Sequence, residues 1–265
     1  MANQKGGVAK TTTVASLGVA LAEMGRRVLL VDLDPQACLT FSLGLDPEAV
    51  ELSVHDVLLG RVTAAMAIRR IDEGVDLLPS TIDLAGTEIA LLTVTGREFT
   101  LRHALLEVSA DYDDVILDCS PSLGVLTLNA LTAADELLIP LQCETLSHRG
   151  VGQLLQTVRD VQRLTNKDLT VLGVLPTLFD ARTTHAKAVL ADVSTRYDLA
   201  VIEPPIAKSV RFAEAPAVGR SILRTAGSSK GARAYREVAR RLVVGSPVDV
   251  TVDVSVDRVE TSGVS

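Results

Sequence analysis

The sequence predicts an α/β fold: a doubly wound, mostly parallel sheet with helices on both faces. Three observations carry that expectation. Short apolar runs alternate with segments of helical period along most of the chain. The runs are near-continuous in Val, Leu and Ile, as strands buried on both faces require. A loop rich in glycine and lysine sits between the start of the chain and its first helical segment.

The elements follow in order. Val14, Leu17, Leu21 and Met24 recur at helical spacing, and Gly25 supplies a stop. Arg27 to Val31 reads as a strand that runs into Asp32-Leu33-Asp34-Pro35-Gln36. Val75 to Pro79 is a further strand, followed by helices over 83–95 and 98–109. Asp113 to Asp118 is a strand and Leu123 to Ala134 a helix. Glu136 to Leu141 and Leu169 to Leu178 are strands around a long helix, Ser147 to Leu164. Thr184 to Arg196 is helical, Leu199 to Ile202 a short strand, and Lys230 to Val244 the last helix. Residues 1–245 form one domain. Residues 246–265, with four acids and one arginine, read as an acidic tail without a packed partner.

Composition limits the functions available. The chain of 265 residues is long enough for one large core. At 3% aromatic and without Trp, it is poorly supplied with rings for a base-stacking platform. Its net charge of −7 repels nucleic acid globally, so any such binding needs a local basic patch. Cys38, Cys119 and Cys143 form no CxxC pair, and the four histidines are scattered, which gives no zinc pattern. No apolar run reaches the ~18 residues of a membrane span.

The loop Asn3 to Thr13 carries the chemistry. Gly6 and Gly7 let backbone N–H groups turn inward onto an anion. A helix beginning near Thr11 points its positive end at the same place. Lys10 supplies a full charge for terminal phosphates, and the Thr11 hydroxyl a ligand for Mg²⁺. Val8, Ala9 and Thr12 complete the cradle. The pattern departs from G-x-x-x-x-G-K-[ST], since Gln4 and Ala9 stand at the two glycine positions.

Asp32 and Asp34 follow one apolar strand and Asp118 ends another. Acids at the carboxyl ends of parallel strands are placed to hold Mg²⁺ or to orient a water. Only Met1, Ala2 and Asn3 precede Gln4, and three residues make at most a stub of the strand that carries such a loop. The expectation is that the natural start lies upstream, with roughly five to eight apolar residues before Met1.

The loop fits K-G-G-x-x-K-[ST] and so resembles the deviant Walker A motif of the ParA/MinD family of P-loop ATPases. DxDPQ, Asp118-Cys119-Ser120-Pro121-Ser122, LTLNAL, PLQCE, LFDART, VRFAEAP and KGARAY are similar to that family too, and most to its ParA/Soj partitioning branch. Ser120 stands where the family has proline. The resemblance implies ATP and Mg²⁺ as cofactors and an ATP-dependent homodimer, with Lys5 reaching the partner's nucleotide. It implies Asp34 as the group that activates the attacking water, with Thr11, Asp32 and Asp118 about the metal. It also implies weak ATPase activity stimulated by a ParB-like protein, and sequence-independent binding of duplex DNA through Arg182 and Arg211. The expected location is the cytoplasm, on the nucleoid.

Beside the implied arginines, Lys230, Arg233, Arg236 and Arg240 form a stripe on the last helix, read either as a phosphate contact or as a solvated face. Alternative functions are a nucleotide-switched DNA-binding regulator with little turnover, which Ala9 favours, and a MinD-like membrane-positioning ATPase, which the acidic C-terminus disfavours. An iron–sulfur ATPase of the nitrogenase-reductase type needs interface cysteines that this chain does not place.

Overall fold

The computed structural model describes residues 1–144 and 147–244. The tail read from 246 onward lies outside the described residues. Six strands appear: β1 (Val28–Leu33), β2 (Arg69–Arg70), β3 (Asp76–Leu78), β4 (Asp114–Cys119), β5 (Glu136–Gln142) and β6 (Thr170–Thr177). The helices are α1 (Lys10–Glu23), α2 (Cys38–Ser42), α3 (Val54–Leu58), α4 (Ala64–Ala67), α5 (Leu84–Leu91), α6 (Thr100–Leu106), α7 (Val125–Ala133), α8 (Ser147–Leu164), α9 (Thr184–Tyr197), α10 (Arg211–Glu214), α11 (Ile222–Thr225) and α12 (Lys230–Val244).

The strands form two sets, ordered β2-β3-β1-β4 and β5-β6. All pairs are parallel except β2 with β3, so the doubly wound expectation holds. β1 is buried along its whole length, which is why its sequence is continuously apolar up to Asp32. Its register on β4 sets Asp32 directly beside Asp118.

One core lies against each face. Leu101, Leu126, Leu131, Leu154 and Val158 from α6, α7 and α8 cover one side. Val14, Leu17, Leu21, Ile222, Tyr235 and Val238 from α1, α11 and α12 cover the other. The Tyr235 hydroxyl meets Thr13 Oγ1 at 3.0 Å, while Thr13 Oγ1 donates to the Ala9 carbonyl at 2.7 Å. The last helix is thereby tied to the base of the glycine loop.

Residues 1–3 stand between the two strand sets. The Met1 amine donates to the Leu117 carbonyl at 2.5 Å, Cys119 N donates to the Met1 carbonyl at 3.2 Å, and Asn3 Nδ2 donates to the Pro140 carbonyl at 2.7 Å. They bridge β4 to β5 only at the carboxyl ends of those strands.

One expectation needs correction. Leu199–Ile202 is not a strand; it reduces to a single bridge, Val174 with Val201, held by two backbone bonds to Val174. Gly173, at φ +137, makes room for the Ala200 carbonyl there. Two of the four cations in the α12 stripe are charge-paired within the chain. Arg236 pairs with Glu23 at 2.6 Å, and Arg240 and Arg241 share Glu237 at 2.7 and 2.9 Å.

Candidate nucleotide site

The glycine loop sits at the carboxyl ends of the strands, where open α/β sheets hold their ligands. Gly7 (φ +73) and Ala9 (φ +61) take left-handed backbone angles, which coil the loop tightly before α1 begins at Lys10. A Cβ at Gly6 or Gly7 meets nothing within 4 Å, so the cradle is open where an anion would approach. No side chain caps the first turn of α1, which leaves its N–H groups available. Thr177 Oγ1 at the end of β6 donates to the Val8 carbonyl at 2.8 Å, and Asn3 Oδ1 accepts from Lys5 N at 3.0 Å. The loop is braced from β5 and β6 together.

Lys10 is buried, and its Nζ lies 3.3 Å from the Lys5 carbonyl. Burial lowers its pKa; Asp118, and behind it Cys119 and Asp34, work against that shift. Lys10, Thr11, Asp34 and Asp118 are therefore neighbours, as the sequence predicted for the phosphate and metal groups.

The two strand-end acids differ. Both Asp118 oxygens are buried and lack a hydrogen-bond partner. Burial raises the Asp118 pKa, while the adjacent Thr11 hydroxyl, the chain's amino terminus and Lys10 hold it down. A buried carboxylate with open lone pairs suits a cation. Asp32 is already engaged. Its Oδ1 accepts from Asp34 N at 3.1 Å, and its Oδ2 accepts from Thr40 N at 2.9 Å and Thr40 Oγ1 at 2.8 Å. Burial and the Asp118 charge push its pKa up to about 7. Asp32 thus braces the loop that carries Asp34, and the metal reading fits Asp118 and Thr11 better. Among the described residues no cluster of three or more His, Cys, Asp or Glu forms a self-sufficient metal cage.

Asp34 is half-buried, with Oδ1 accepting from Gln36 N at 2.9 Å. Its backbone carbonyl accepts from Ser80 Oγ at 2.8 Å. Lys5 is partly exposed and is paired with Glu144, just beyond β5. Arg182 and Arg211 are exposed and pair with Asp180 at 3.0 Å and with Glu214 at 3.1 Å. The sequence reading assigned no role to Asn3, Thr40, Thr177 or Glu144. Thr177 and Glu144 sit at or just past strand carboxyl ends, the one positional signal that marks them.

A family model described as an AAA domain matches residues 1–171. The sporulation initiation inhibitor protein Soj of Bacillus subtilis (strain 168) is 45% identical, covering 91% of this chain and 95% of its own. This chain belongs to the ParA/MinD family of P-loop ATPases, on its ParA/Soj branch. Another member, the chromosome partitioning protein ParA of Caulobacter vibrioides (strain NA1000), is 39% identical over 92% of both chains. A Mycobacterium smegmatis structure described as cobyrinic acid a,c-diamide synthase, with bound ADP and magnesium, is 59% identical. It superposes with a TM-score of 0.82 over 91% of each chain. That structure holds ADP and magnesium on the same fold.

Proposed function

We propose that this protein is an ATP-driven DNA-segregation ATPase whose ATP form is a homodimer on non-specific duplex DNA. The observation that supports it most is the open, buried Asp118 carboxylate beside Lys10, Thr11 and Asp34, at the mouth of a K-G-G-x-x-K-T loop. Gly6 to Ala9 and the first turn of α1 bind the phosphates through backbone N–H groups. Lys10 offsets the charge between the terminal phosphates. Thr11 and Asp118 would hold Mg²⁺, which would supply neutralisation of charge on the phosphates. Asp34 orients the attacking water, and Asp32, through Thr40, fixes the loop that carries Asp34. Lys5 leaves Glu144 and reaches the partner's nucleotide. Arg182 and Arg211 meet DNA phosphates, and a ParB-like protein stimulates the slow hydrolysis. The protein then acts in the cytoplasm, on the nucleoid.

A second reading comes from the description of the 59% identical structure: ATP-dependent amidation of cobyrinic acid. Membrane positioning of the MinD kind is a third. No described helix is long and apolar enough to cross a membrane. Co-sedimentation with random-sequence duplex DNA, in ATP, in ADP and without nucleotide, separates these readings when run beside a liposome arm and a cobyrinic acid-stimulated ATPase arm. DNA pelleting in ATP alone supports segregation. Liposome pelleting, or stimulation by cobyrinic acid without DNA binding, overturns it.

A further inference from the structure

Glu88 on α5 is set against the start of another helix. A Cβ built at Gly124 falls 2.5 Å from Glu88 Oε1 and 3.6 Å from its Cδ, so the carboxylate already fills the space that a side chain at 124 would take. Gly124 is the residue before α7, and no side chain caps α7 from that position. The first N–H groups of a helix lack intrahelical partners and carry partial positive charge, which an anion stabilises. Gly124 has φ −76, an angle open to any residue, so its backbone does not require glycine. The absent side chain leaves room for the Glu88 carboxylate instead.

We infer that Glu88 is a positioning residue for Asp118, acting through the start of α7. The inference rests on the proposed reading of Asp118 as a metal ligand. The connection between them is short, since β4 ends at Cys119 and α7 begins at Val125. Thr127 Oγ1, in the first turn of α7, donates to the Ser122 carbonyl at 2.6 Å. The Ser122 hydroxyl meets the Ser120 hydroxyl at 3.0 Å. Ser120 is buried and lies two residues past Asp118. The seat of α7 therefore sets the path of the loop that leaves Asp118. Farther along the same helix, Asn129 Nδ2 donates to the Arg97 carbonyl at 2.8 Å, and Asn129 Oδ1 accepts from Leu101 N at 3.0 Å. Those bonds hold the middle of α7, and Glu88 holds its start.

The test is a titration of Mg²⁺ against a fluorescent ADP analogue bound to the full chain, read from the change in its fluorescence. Glu88→Gln keeps the side chain's shape and removes its charge. It is expected to leave metal-free ADP affinity unchanged and to lower Tm by no more than about 2 °C. It is expected to raise the Mg²⁺ concentration for half-saturation about three- to fivefold. Gly124→Ala, which pushes the carboxylate aside, is expected to do the same, and the double variant no more than either single one. A Gln variant with the parent's half-saturation overturns the proposal. So does an equal loss of metal-free affinity, which marks a merely structural role, and so does an additive effect in the double variant. A parent that does not respond to Mg²⁺ at all is a distinct result: it overturns the metal reading of Asp118, and this inference with it.

Discussion

The Lys5 ammonium is paired with the Glu144 carboxylate, 139 positions away in the same chain. The contact holds the loop's extra lysine against its own subunit. If Lys5 acts across a dimer, this pair must open first. Lys5→Ala is expected to bind ATP normally but to fail in ATP-dependent dimerisation and hydrolysis. Glu144→Gln removes the competing charge, so it is expected to raise the dimer fraction at a given ATP concentration. Sedimentation velocity with ATP checks both. A normal ATP dimer in the Lys5 variant removes the in-trans role.

Lys10→Ala takes a buried cation from the phosphate cradle. A hydrogen bond to a charged group is worth about 1.5–3 kcal/mol, so ATP affinity should fall by roughly ten- to hundred-fold. Calorimetric titration measures this, and unchanged affinity rejects the phosphate role.

Asp118→Asn removes a buried charge without changing the side chain's shape. Without nucleotide the variant is expected to be more stable than the parent, because burial disfavours the parent's carboxylate more than Thr11, the amino terminus and Lys10 favour it. The stabilisation that Mg²⁺-ATP gives the parent should largely vanish. The sign of the pH effect follows from the same burial. Asp32 and Asp118 hold protons more tightly folded than unfolded. Their contribution to stability is therefore greatest near pH 4 and is lost as pH rises toward about 7, the Asp32 value. Thermal melts of metal-free protein should show that decline, with a shallower slope in Asp118→Asn.

Tyr235→Phe tests the tie between α12 and the loop. The Tyr235 side chain is fully buried, and its hydroxyl reaches Thr13. Loss of one such bond costs about 1 kcal/mol, or about 2–4 °C in Tm for a domain of this size. A larger drop in ATP affinity than in stability would show that the tie serves the loop rather than the core.

The parts legible in the sequence are those with strong periodicity. Ser147–Leu164 and Lys230–Val244 were bounded correctly, because each carries an apolar stripe and a polar face over four or more turns. The Arg27–Val31 run marked β1, although the strand continues through Asp32 and Leu33. Cys38–Ser42, Val54–Leu58 and Ala64–Ala67 escaped notice, since helices of one turn show no full period. Arg69–Arg70 pairs with β3 over two residues and looks like any charged turn. In the site, Lys10, Thr11 and Asp118 were readable because loop and strand-end chemistry is local. Thr40 on Asp32 and Glu144 on Lys5 were not, because those partners meet only once the sheet is assembled.

The measurement that tests the central claim most directly is binding of a fluorescent random-sequence duplex. It is followed by anisotropy in ATP, in ADP and without nucleotide, for the parent and for a variant carrying Arg182→Glu and Arg211→Glu. The account predicts binding by the parent in ATP alone, weakening steeply as salt rises. It also predicts no binding by the variant, which still takes up ATP. Equal binding with and without ATP, or none under any condition, would contradict it.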